Sequence, residues 1–180
     1  MTDDEQDWIK RSLRGDSEAF ESLVRRYQRM IYSLAYRMTG SASEAEDLTQ
    51  ETFIRAHGDL VRFRSEAKFS SWLYRIAMNL CLNWRKRMAL RDAVYNEWQG
   101  RLAQNEEGKD ERDERINEAL RMLHAKQRAA IVLTVYDGLS HAEAARVLGC
   151  SETTVSWRVF AARAKLKRLL NGVKTGGEYA

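Results

Sequence analysis

GLSHAEAARVLGCSETTVSWRVFAARAKLKRLL, residues 138–170, decides how the second half of this chain folds. Ser140 and Glu143 stand three apart, the Ser-x-x-Glu spacing in which hydroxyl and carboxylate cap each other's backbone amides at a helix start. Ala142, Ala145 and Leu148 then face inward, and Gly149 supplies a left-handed stop. Ser151 is placed to cap a second, longer helix whose buried stripe is Val155, Val159, Ala162, Leu166 and Leu169. The small Ala144 and Ala145 let the two helices cross closely. A short helix, a glycine turn and a longer basic helix make a helix-turn-helix, whose second helix enters the major groove with its first turns at the base edges. Glu152, Thr153, Thr154, Ser156, Trp157 and Arg158 project from those turns, and short hydroxyl and guanidinium groups suit phosphates and bases. Lys165, Lys167 and Arg168 suit phosphates nearby. The plainer alternative is a helical hairpin with a solvated basic face. The two caps, the glycine turn and the alanine pair weigh against it.

Working towards the N-terminus, residues 126–136 read as one helix, stopped at Asp137-Gly138. Ile116, Ala119, Leu120 and Leu123 read as a short helix face before it. Residues 88–115 lose apolar periodicity after Leu102 and gather Gln99, Gly100, Gln104, Asn105, Glu106, Glu107, Gly108, Lys109 and Asp110. They read as an acidic, flexible linker, helical in part near residues 93–98.

The first half reads as three or four helices on one core. Gly15-Asp16-Ser17 opens a helix whose apolar positions are Phe20, Leu23, Val24, Tyr27, Ile31, Leu34, Ala35 and Met38, with Gly40 as its stop. Ser43 and Glu46 form a capping box for the next, whose inner face is Ala45, Leu48, Thr52, Phe53 and Ala56, ended by His57-Gly58. Its outer face carries Glu44, Asp47, Gln50, Glu51 and Arg55, either a docking surface for a basic groove or a solvated face. Residues 60–69 read as a loop mixing Phe63 and Phe69 with Arg62, Arg64 and Lys68. Such a mixture is a stacking platform for unpaired bases, or the aromatics, with Trp72, are core. A helix starting near Ser70 or Ser71 then buries Trp72, Leu73, Ile76, Ala77 and Leu80, and aligns Arg75, Asn79 and Asn83 on another face.

The fold class is therefore all-α: two small helical domains joined by a flexible linker, the second a helix-turn-helix domain. The expected boundaries are 1–87, linker 88–115, 116–172 and tail 173–180. The absence of proline among 180 residues agrees with long helices. The net charge of +4 is modest but blocked by sign. Residues 43–51 hold acids without bases, and residues 84–91 and 158–168 hold bases without acids, so separate faces for separate partners are expected. Cys81 and Cys150 make no disulfide framework, and His57, His124 and His141 no metal set. No cofactor, metal or catalytic residue is expected. The longest apolar run, residues 129–135, is far shorter than the roughly 20 residues of a membrane span. With an acidic start and no apolar signal segment, a cytoplasmic location without membrane insertion is expected.

Two stretches resemble a known family. SEAEDLTQETFIRA (residues 43–56) with FSSWLYRIAMNLCLNWRKR (residues 69–87) resembles region 2 of the extracytoplasmic-function sigma factors of the sigma-70 family, and residues 138–170 resemble their region 4. The resemblance spans residues 10–87 and 116–170. It implies a transcription initiation factor, not an enzyme, that binds core RNA polymerase and directs promoter-specific initiation in a stress or envelope response. Asp47, Leu48, Gln50, Glu51 and Phe53 fall on the helix that docks on the clamp of the largest polymerase subunit; the polymerase flap is a further implied contact. Phe63, Arg64, Lys68 and Phe69 fall on the loop that traps a flipped base of the −10 strand, and Arg75, Asn79 and Asn83 on the helix that supports it. Ser151, Thr153, Thr154, Ser156, Trp157, Arg158, Phe160, Ala161 and Arg163 fall on the −35 reading helix. An anti-sigma factor is an implied partner. Two departures stand out: Leu123-His124 replaces the family's Leu-Pro, and Ser156 and Ala161 stand where several members carry arginine, which leaves the −35 preference open. A plain helix-turn-helix regulator with an unrelated first domain is the rival reading.

Overall fold

Asp16 and Gly40 set both ends of the central helix locally. The Asp16 carboxylate accepts the Ala19 amide at 3.1 Å, and Gly40 takes the left-handed conformation at φ 78° that a side chain would resist. Between them Leu23, Ile31, Leu34, Ala35 and Met38 recur at helical spacing and are fully buried. The computed structural model describes residues 3–64, 68–95 and 111–171. Its helices are α1 (Asp3–Leu13), α2 (Ser17–Thr39), α3 (Ala42–Asp59), α4 (Phe69–Tyr95), α5 (Glu111–Arg121), α6 (Ala125–Ile131), α7 (His141–Leu148) and α8 (Glu152–Asn171). No strand occurs among the described residues, and the fold is all-α.

In the first half α2 packs against α1, α3 and α4. The capping box expected at Ser43 is absent: the cap is Ser41, whose hydroxyl accepts the Glu44 amide, and the helix runs on past His57-Gly58 to Asp59. The expected loop is shorter than read, because Leu60–Arg62 form a 3₁₀ turn and α4 already starts at Phe69. α4 continues to Tyr95, so the first residues assigned to the linker prolong a helix. The part of the linker reading that covers residues 96–110 lies outside the described residues. α1 carries no apolar stripe: Glu5, Ile9 and Ser12 form its buried row.

In the second half α6 widens into π-type turns over Val132–Tyr136, with the Asp137 amide donating to the Val132 carbonyl at 3.0 Å. The capping box of α7 forms as read, and Gly149 closes that helix at φ 61°. Ala144, Ala145 and Val147 are the inward residues of α7, with Ala142 and Leu148 only half-buried. They meet Val155, Val159 and Ala162 of α8, where small side chains allow the close crossing.

The two halves are docked on each other, which the reading of two flexibly joined domains did not foresee. α4 lies against α6 and α7, and α2 against α5 and the π segment. Arg121 donates to the carbonyl of Gly40, and Lys68 lies 3.6 Å from Glu143. Arg37 sits over the Tyr136 ring, 4.7 Å from its centroid, and 4.0 Å from Asp137. The docking carries a cost. Arg128 is fully buried, its Nε, Nη1 and Nη2 have no hydrogen-bond partner, and the nearby charges of Arg85 and Arg121 are of like sign. Burial first, then those arginines, lowers its pKa to about 9. A buried cation without a partner opposes the packing that buries it.

Asp137 makes the docking pH-sensitive. Burial raises its carboxyl from 3.8 to about 7, outweighing the opposing pull of Arg37. A docked carboxyl that keeps its proton up to about pH 7, against 3.8 when hydrated, favours docking most at low pH, and that contribution is lost as pH rises through this window. The expected outcome is a radius of gyration, measured by small-angle scattering, that grows as pH rises from about 4 to about 7. Asp137→Asn should flatten that profile. A profile equally steep in the variant would assign the effect to another group.

Candidate nucleic-acid interface

Helix α8 presents two kinds of side chain on its first turns, and their hydrogen bonds separate them. Ser151 accepts the Thr154 amide at 3.2 Å and lies 2.8 Å from the Thr154 hydroxyl, so both close the helix start. Ser156 is half-buried against His141, Oγ to Nδ1 2.8 Å. Arg158 folds back to donate to Cys150 Sγ at 3.4 Å. Lys165 donates to the Met122 carbonyl at 2.6 Å, tying α8 to the end of α5. What remains outward is Thr153, Trp157, Phe160 and Ala164, in line along the helix, flanked by Glu152, Arg163, Lys167 and Arg168. Trp157 is 64% exposed and Phe160 73%, and one turn apart on one face they form a contiguous apolar patch.

On α4 the spacing of four places Arg75, Asn79 and Asn83 on one exposed row, continued by Lys86 and Arg87. The docking of the halves leaves this row open. The aromatics beside it are not a free platform. Phe69 is fully buried, with ring centroids 5.3 Å from Phe63, 5.5 Å from Trp72 and 5.6 Å from Tyr27. Its place among the expected DNA contacts is corrected: it is the keystone of this cluster. Phe63 and Trp72 are half-buried and keep one edge in solvent, Arg64 is exposed, and Lys68 leans towards Glu143.

On α3 the outer face holds Asp47 and Gln50 exposed and Glu51 half-buried, the last accepting from Arg55 at 2.6 Å. Leu48 and Phe53 turn inward, 3% and 7% exposed, and cannot make the surface contacts expected of them.

The described residues hold no cluster of His, Cys, Asp or Glu able to bind a metal, and no helix among them is long and apolar enough to cross a membrane. Both cysteines are free, and burial pushes the Cys81 thiol up to about 12.

Residues 23–91 match the family model described as Sigma-70 region 2, and residues 113–166 that described as Sigma-70, region 4. The RNA polymerase sigma-H factor of Pseudomonas aeruginosa is 33% identical over 180 residues, covering 92% of this chain and 93% of its own. The chain belongs to the extracytoplasmic-function sigma factors of the sigma-70 family. The sigma factor is 36% identical over 162 residues to SigM of Mycobacterium tuberculosis, covering 90% of this chain and 82% of SigM. Its fold superposes on the sigma factor RpoE of Bartonella quintana, solved in complex with the anti-sigma factor NepR. That match has a TM-score of 0.68 and 26% identity, over 84% of this chain and 96% of RpoE. As a sigma factor it is a transcription initiation factor that directs promoter-specific initiation by RNA polymerase.

The structure of this sigma factor also brings forward residues that sequence patterns passed over. Ile54 and Val61 are 72% and 78% exposed. Ile54 follows Asp47 and Gln50 on the outer row of α3, and Val61 comes one 3₁₀ turn beyond. An apolar residue breaking a polar face was the available signal.

Proposed function

We propose that the three exposed faces divide the work of initiation. The outer face of α3, with Asp47, Gln50, Glu51 and the apolar Ile54, docks on the clamp of the largest polymerase subunit. The row Arg75, Asn79 and Asn83, with Arg64, Lys68 and the free edges of Phe63 and Trp72, holds the unpaired −10 strand. The outward row of α8 reads the −35 duplex while the second domain engages the flap. The division into a first domain, a linker and a second domain follows the same allocation. The chain performs no chemical step; it acts in the cytoplasm, where polymerase works, in a stress or envelope response, and an anti-sigma protein silences it. The likeness to a sigma factor crystallised with its anti-sigma factor supports that last point.

One observation carries the reading: three faces of different chemistry lie on different helices and none is consumed by packing. Capturing an unstacked base costs a few kcal/mol, which polar contacts on the α4 row must offset. Asn83→Ala is therefore expected to weaken −10 recognition by about tenfold, the size of one base contact, with core binding unchanged. Footprinting on pre-melted promoters and a polymerase pull-down separate the two. Parallel loss of both would make Asn83 a structural residue.

A further inference from the structure

Several polar side chains around the first turns of α8 already have partners within the protein. Ser151 and Thr154 close the helix start, Ser156 is held by His141, and Arg158 is turned to Cys150. The outward row that would face a groove is Thr153, Trp157, Phe160 and Ala164, and its exposed surface is mainly apolar. Its flanks carry Arg163, Lys167 and Arg168 against a single acid, Glu152, at the helix start, so the face is basic on balance and the occupant is a polyanion whose inner surface offers apolar groups. In the major groove only one base feature is apolar, the C5-methyl of thymine.

We propose that Trp157 and Phe160 are specificity-determining residues that recognise the −35 duplex through thymine methyl groups, with little hydrogen-bonded readout of guanine. This deepens, and rests on, the assignment of α8 to the −35 duplex. Trp157 and Phe160 are three residues apart, so they lie one above the other along the groove and meet neighbouring base pairs. Thr153 adds a methyl at the helix start. The basic flanks fix the register on the phosphates without choosing sequence. The preferred −35 sequences should carry thymines, on either strand, at the positions these two rings face.

The test removes the methyl alone. Deoxyuridine replaces each −35 thymine in turn in a promoter that the holoenzyme transcribes; base pairing and the donor–acceptor pattern are unchanged. With the wild-type chain, one or two positions should lose about 3- to 5-fold in competition binding, the size expected when one apolar carbon fails to leave water. With holoenzyme carrying Trp157→Ala or Phe160→Ala, overall binding should drop and the corresponding uridine should have no further effect. Both side chains are exposed, so the variants should fold, and circular dichroism checks this. If deoxyuridine is silent at every position although the −35 sequence matters, the methyl readout is overturned and the α8 assignment stands. If uridine sensitivity survives in both variants, other residues read the methyls and the inference is again overturned. If replacing the whole −35 duplex changes nothing, the underlying assignment falls with it.

Discussion

Ile54→Glu should cut the affinity for core polymerase by about 30-fold or more, the loss that accompanies removal of an interface anchor worth at least about 2 kcal/mol. Ile54 is 72% exposed on α3, so the free protein neither gains nor loses core packing, and its melting should shift by no more than about 0.5 kcal/mol in stability. The contrast with Leu48, one helical stripe away, is sharp. Leu48 is buried, and Leu48→Ala should lower stability by about 2–5 kcal/mol while sparing polymerase affinity of the folded fraction. A charge at Ile54 has to be desolvated when α3 meets the clamp, and an apolar partner surface cannot compensate it. Titration of fluorescently labelled protein with core polymerase measures the first effect, and urea melts the second. Unchanged polymerase affinity in Ile54→Glu would remove the outer face of α3 from the docking surface.

Phe69→Ala should be the most destabilising single change in the aromatic cluster, by about 3–5 kcal/mol. The ring is fully buried between Phe63, Trp72 and Tyr27, and truncation leaves a cavity that neighbours on α2 and α4 cannot collapse to fill. In a chain of this size the melting point should fall by about 10 °C. Promoter selectivity of the protein that remains folded should be unchanged. A change in −10 preference without loss of stability would return Phe69 to the DNA-contacting residues.

The helix-turn-helix was legible because its determinants are local. Ser140, Glu143, Gly149 and Ser151 act within a few residues of themselves, so spacing alone forecasts the capping box and the left-handed stop. The inner faces of α2, α3 and α4 were legible for the same reason. What stayed hidden depends on contacts between distant residues. Ser156 looks like a base reader until His141, from the preceding helix, claims its hydroxyl. Phe69 looks like a platform until three rings close around it. The cap of α3 moved from Ser43 to Ser41 because both offer a hydroxyl before an acidic turn, and backbone geometry chooses between them. The docking of the two halves left no periodic trace: besides shared apolar packing it uses single residues, Arg37, Asp137 and Arg121, drawn from three segments, and it buries Arg128 at a cost. The apolar Ile54 on a polar face, by contrast, is a local signal present in the sequence itself.

The most direct test is run-off transcription by purified core polymerase, with and without this protein, on upstream regions from its own genome. Discrete transcripts that require the protein, and that map to promoters sharing −35 and −10 sequences, are the expected result. No protein-dependent transcript, together with tight sequence-specific duplex binding by the protein alone, would contradict the account and point to a conventional helix-turn-helix regulator.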